Sequence, residues 1–167
     1  DDDVDRFGFY IIRQLTIAIE NQHMLEEIGF KNSRDCLGYR VIVKNIERIG
    51  DHAVTLAQDA IDIKKPIKGK IMTSIEKMND FALTAIDNTC LALFKNDYLE
   101  AENAIKESHN IKKYEDDVLK ALEQSKNSAE VFRVRRIAEN IRRIAEYASD
   151  IGEIVVNMNI EKVTKKN

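Results

Sequence analysis

Arg40-Val41-Ile42-Val43-Lys44-Asn45-Ile46-Glu47-Arg48-Ile49-Gly50-Asp51-His52-Ala53 returns, 95 positions later, as Arg135-Arg136-Ile137-Ala138-Glu139-Asn140-Ile141-Arg142-Arg143-Ile144-Ala145-Glu146-Tyr147-Ala148. Arg, Ile, Asn, Ile, Arg, Ile and Ala fall at the same places in both copies, so the chain carries an internal repeat. Within each copy the apolar residues step by three and four, the spacing that lines one face of a helix. In the first copy Ile42, Ile46, Ile49, Ala53, Leu56, Ala60 and Ile63 form that stripe. In the second it is Val131, Val134, Ala138, Ile141, Ala145, Ala148, Gly152 and Val155, flanked by Ile137, Ile144 and Ile151. Small residues on this second stripe let neighbouring helices approach closely, and the isoleucines widen the apolar face to meet two of them, which is the geometry of a bundle.

Outward from these two helices the same periodicity predicts three more. A first helix runs from Val4 through Phe7, Ile11, Leu15 and Ala18 to about Gly29, and the second opens at Ser33, read as its N-cap, and closes before Pro66. A third carries Ile71, Ile75, Met78, Ala82, Ala85 and Thr89 and stops at Asn96-Asp97. A fourth has a weaker stripe through Ala101, Ala104, Ile111, Val118 and Leu122, and the fifth is the second copy of the repeat. The fold class is all-α, an elongated helical bundle built as a tandem three-helix repeat. Residues 1–65 make a first repeat of two helices, truncated by one, and residues 66–167 a complete second repeat. The acidic opening Asp1-Asp2-Asp3-Val4 resembles Glu115-Asp116-Asp117-Val118, and the abrupt acidic start suggests a domain upstream of it.

Composition agrees. One proline and six glycines in 167 residues are too few turn-makers for a β-sandwich or barrel. A formal net charge of −3 gives no overall field that would draw nucleic acid. Cys36 and Cys90 belong to no CxxC or zinc spacing and read as small core residues. No apolar run approaches the length of a membrane span and no secretory leader is visible, so a cytoplasmic protein without membrane insertion is expected.

The residues that could do chemistry are carboxylates four apart. Glu47/Asp51, Glu146/Asp150, Asp1/Asp5 and Glu76/Asp80 share this spacing, which lets two carboxylates on adjacent turns hold one hard cation, a divalent metal or oxidised iron. Acids at that spacing on an exposed helix are also common and usually just solvated. Glu20 and His23 form a single ExxH pair, whereas a di-iron bundle needs two such pairs and further carboxylates. His52 beside Asp51 reads as a hydrogen-bonding residue. Arg133, Arg135, Arg136, Arg142 and Arg143 cluster on the last helix among Glu139 and Glu146, which argues for pairing along the helix. Lys162, Lys165 and Lys166 read as a frayed tail. No nucleophile elbow or phosphate-cradling glycine loop occurs, and no enzyme is expected.

Asn45-Ile46-Glu47-Arg48-Ile49-Gly50-Asp51-His52-Ala53 closely resembles the signature helix of the PhoU family of phosphate uptake regulators, and Asp5-Arg6 with Arg13-Gln14-Leu15 is similar to the preceding helix of archaeal-type members. The resemblance implies tandem three-helix bundles, homodimers, and a non-enzymatic role restraining phosphate uptake through the phosphate ABC transporter ATPase, a signalling partner or transcription machinery. It implies metal or iron on E/DxxxD motifs, carried most directly by Glu47 and Asp51. In the second copy Arg142 stands at the place of Glu47, so a second site relies on Glu146 with Asp150 or is absent. Some members carry an AbrB-like DNA-binding domain before the PhoU part, so DNA is expected only through such a missing domain. The alternative is a metal-free dimerisation bundle serving a DNA-binding regulator.

Overall fold

The computed structural model describes residues 2–30, 32–63, 65–67, 69–123, 125 and 127–159. Seven helices run in order: α1 (Asp2–Ile19), α2 (Gln22–Glu27), α3 (Ser33–Ile61), α4 (Lys70–Lys95), α5 (Tyr98–Ser108), α6 (Ile111–Leu122) and α7 (Ser128–Met158). Among the described residues there is no strand. The all-α reading holds, with two helices more than periodicity predicted.

Both extra helices come from local polar chemistry that apolar spacing does not register. The first predicted helix breaks at Glu20-Asn21, where Asn21 takes extended backbone and its side chain accepts from the Met24 N–H, so a new helix starts. The fourth is interrupted at His109-Asn110. There the Ser108 hydroxyl and His109 Nδ1–H both donate to the Ile105 carbonyl at 2.7 Å, competing with the backbone ladder. Both interrupting residues keep helical dihedrals, so the chain jogs without reversing. Asn96 turns the chain in the left-handed region at φ 52°, and Asp97 caps α5 through the Leu99 and Glu100 N–H groups. The predicted cap Ser33 is instead the first helical residue: Asn32 accepts from the Arg34 N–H. Its repeat counterpart, Asn127, caps α7 in the same way through Glu130. Pro66 lies four residues beyond the C-cap Asp62.

α7 is the axis of the molecule, packed by α3, α4, α5 and α6. It runs antiparallel to α3. Asp62 and Asp59 meet Arg133 and Arg136 at one end of the crossing, and Gly38 meets Met158 and Ile154 at the other. The main core lies among α4, α6 and α7, with Met78, Val118, Val134, Ile137, Ile141 and Ala145 inside it. A smaller core joins α1, α2 and α3 through Leu15, Ala18, Leu25 and Cys36. Cys36 is buried as expected and Cys90 is half-buried; both are free thiols.

Two predicted stripes are only partly inside. Phe7 and Ile11 of α1 are exposed, and so are Ile46, Ala53 and Ala60 of α3, because no described element packs on that side of the first repeat. The acidic openings also part company. Asp2 and Asp3 occupy the first turn of α1, whereas Glu115, Asp116 and Asp117 lie inside α6.

Candidate functional site

The quoted stretch and its repeat form the middle of the α3/α7 crossing. Asn45 and Asn140 occupy equivalent positions and are both buried, at 3% and 8% exposure. Asn140 donates through Nδ2 to the Arg136 carbonyl at 2.9 Å, which leaves Oδ1 to accept from His52 Nδ1–H at 2.7 Å. That bond sets the His52 tautomer and ties α3 to α7. His52 also stacks on Tyr147, its own counterpart in the repeat, with ring centroids 5.6 Å apart. Equivalent residues meeting each other place a pseudo-twofold axis beside this pair. Arg48 also lies over the Tyr147 ring, 5.4 Å from its centroid.

Toward α7's N-terminus, the buried Asp59 is ion-paired with Arg136 at 3.2 Å through one oxygen, and its other oxygen has no hydrogen-bond partner in the protein. Asp62 accepts from Arg133 at 3.0 Å. These arginines therefore stitch the two repeats together, whereas the sequence suggested pairing along one helix. Arg142 and Arg143 do pair along α7, both with Glu146.

The predicted cation pairs are scattered over the molecule. Glu47 is half-buried and held by Lys44 at 2.5 Å; Asp51 one turn on is exposed, and its carbonyl accepts from the Thr55 hydroxyl. Glu76 and Asp80 sit on α4 at the rim of an apolar groove of about 940 Å³, shared with Leu56 and Ile63 of α3 and floored by Ile137 and Ile141. Asp5 is half-buried on α1. Asp1, Lys162, Lys165 and Lys166 lie outside the described residues. Glu20 falls in the turn before α2 and His23 inside it, both exposed, with His23 3.4 Å from Glu27.

In the second copy the position of Glu47 belongs to Arg142, and its guanidinium points into the carboxylates. It donates to Glu115 of α6 at 3.2 Å, contacts Glu139 at 3.9 Å and pairs closely with Glu146. Burial works against the charge, but Glu146 and Glu115 together outweigh it and hold the guanidinium proton more firmly than usual. A metal at Glu146 would have to displace two arginines. Asp150 lies beyond this cluster with its pKa raised, chiefly by burial and then by Glu153 and Glu146; Arg48 from α3 lowers it, but by less. Among the described residues no three His, Cys, Asp or Glu side chains are grouped to hold a metal ion, and the donor sets do not form a closed centre.

Sequence reasoning missed Glu115, Asp59 and Tyr147 as members of this polar seam. The signal for Tyr147 lay in its equivalence to His52; Glu115 and Asp59 carry no repeat signature and come into place only through packing.

A family model of the PhoU domain matches residues 1–60 and 75–155, each segment containing one helix of the crossing pair. No curated protein matches the chain.

Proposed function

The chain belongs to the PhoU family, and from that premise we propose that it regulates phosphate uptake and phosphate homeostasis through protein contacts, not catalysis. The observation that supports this is where the family match falls: its two segments bring together α3 and α7, whose crossing is locked by Asn140, His52 and Tyr147 and presents Glu47, Arg48, Asp51, Arg143 and Asp150 beside the seam. Such a rigid, mixed-charge surface suits recognition of a partner protein, since complementary charges set specificity and encounter rate. The partners of this reading are the ATPase of a phosphate ABC transporter or a signalling protein, met in the cytoplasm by a homodimer with repeats at 1–65 and 66–167. Among the described residues no helix is long and apolar enough to cross a membrane.

The test is phosphate uptake at high external phosphate in cells lacking the protein. Expression of the chain should restrain uptake, and Asp51→Arg with Asp150→Arg should abolish the restraint while leaving helicity intact. Uptake that is indifferent to the chain would refute the reading.

Cation binding is a separate part of the proposal. Glu47 and Asp51 are the pair onto which a divalent metal or iron fits most directly, since Lys44 is a single exposed competitor; Asp5, Glu76/Asp80 and Glu146/Asp150 offer isolated or arginine-bound carboxylates. Elemental analysis after reconstitution with iron or manganese should find metal that Glu47→Ala/Asp51→Ala removes. The second reading, a metal-free interaction bundle serving a DNA-binding regulator, is favoured by one observation: in the second repeat Arg142 already supplies the positive charge among the carboxylates.

A further inference from the structure

A cleft of about 260 Å³ opens between α4 and α6, and Lys70 and Lys77 of α4 line it together with Lys120 of α6. Lys70 and Lys77 lie two turns apart on one face of α4, so three exposed lysines from two helices line one concavity. Among the described residues none of the three enters an ion pair, although lysines elsewhere find acids: Lys44 with Glu47, Lys95 with Glu100, Lys106 with Glu102. Asp117 shares the cleft, one turn before Lys120, and it too is without a salt bridge. The cleft therefore carries a net positive charge in a chain whose overall charge is −3.

Neutral donors complete the wall. Tyr114, whose ring stacks on Phe81 with centroids 4.7 Å apart, lines the cleft with one hydroxyl-bearing side chain, and Ser74 brings a second from α4. The N-terminus of α4 adds to the field: its N-cap, Gly69, has no side chain with which to satisfy the first-turn N–H groups.

We infer that this cleft binds a phosphoryl group, as free phosphate or as a small phosphate ester. Three lysines and two hydroxyl donors against the single carboxylate of Asp117 match an anion with several acceptor oxygens. The volume admits a small molecule and not a folded partner. Asp117 then accepts from a hydroxyl on the ester, which would distinguish the two forms. The inference stands apart from the regulatory reading, because its residues lie on α4 and α6 and not beside the crossing.

The experiment is calorimetric titration of the chain at low ionic strength with inorganic phosphate and with glycerol phosphate. One equivalent should bind, with affinity falling about tenfold in Lys77→Ala and about tenfold again when Lys120→Ala is added, as expected for charge-assisted hydrogen bonds. Lys44→Ala, outside the cleft, should bind like the parent chain, and circular dichroism should report equal helicity for all. Tighter binding of the ester that Asp117→Asn removes would assign the site to esters; equal binding of both probes would assign it to the phosphoryl group alone. Absence of binding by either probe at millimolar concentration, or a Lys77→Ala/Lys120→Ala chain that binds as well as the parent, would overturn the inference.

Discussion

Ile46 and Ile141 hold the same place in two copies of one repeat, yet the first is 43% exposed and the second 2%. The same contrast recurs further along the two helices. Ala148, Gly152 and Val155 are buried beneath α4 and α5, while their counterparts Ala53, Ala57 and Ala60 face outward. The local sequences are almost interchangeable, so helix formation is not what differs. The second repeat has α4 and α5 against this face, whereas among the described residues the first repeat packs on α3 mainly through α1, with α2 joining only the small core at Leu25 and Cys36. An apolar stripe states that a helix can be covered; burial requires that something covers it.

The sharpest way to break the comparison is truncation at the matched isoleucines. Ile141→Ala removes a side chain packed within the main core and should cost about 2–4 kcal/mol in urea unfolding. Ile46→Ala should cost less than about 1 kcal/mol. Equal losses would mean that the two faces are equivalently packed in solution. Gly152 and Ala57 offer a reciprocal pair. A Cβ at Gly152 would stand 2.9 Å from Ile105 Cγ1 and 3.6 Å from the Ala101 carbonyl oxygen, so Gly152→Ala should destabilise by about 1–2 kcal/mol through overpacking at the α5/α7 contact. Ala57→Gly, on an exposed helix, should lose only about 0.5–1 kcal/mol through backbone entropy.

Charge sharpens the contrast further. Arg142→Met leaves Glu115 without its partner and Glu146 with Arg143 alone, and the expected loss, about 1–2 kcal/mol, lies between the values for exposed and fully buried pairs. The counterpart change Glu47→Met removes only the pairing with Lys44 and should stay within about 0.5 kcal/mol. If Arg142→Met proved neutral, the second repeat's carboxylates would not depend on their arginine.

The smallest effect belongs to Asp150, whose counterpart is Thr55. A carboxyl with its folded pKa raised binds protons more strongly in the folded chain, so its ionisation works against folding as pH rises through that range. Asp150→Thr should therefore stabilise the chain at neutral pH by a few tenths of a kcal/mol, the scale of a screened surface interaction. The gain should vanish below the carboxylate range, where the parent residue is protonated too. Melting temperatures at neutral and acid pH would show it.

Much of the site was legible before any coordinates. The repeat identified α3 and α7 as equivalent helices, and it marked Asn45/Asn140 as the shared polar position, which the fold buries. It could not say that His52 and Tyr147 stack, because the sequence holds their equivalence but not their distance. Nor could it choose which way Arg142 points. Helical spacing brings Arg142 close to Glu139 and Glu146 of its own helix, but Glu115 comes from α6, and the α6/α7 packing decides whether the guanidinium turns inward.

The sequence by itself determined the helical class, the tandem repeat and the family signature, because periodicity, turn chemistry and motif identity are properties of neighbours along the chain. The tertiary structure decided which copy of the apolar face is buried, that arginines bridge α3 to α7, and that an arginine occupies the carboxylate cluster of the second repeat. Those outcomes depend on which elements meet across space. There an isoleucine or a glutamate gains its energy from a partner that its own stretch of sequence does not name.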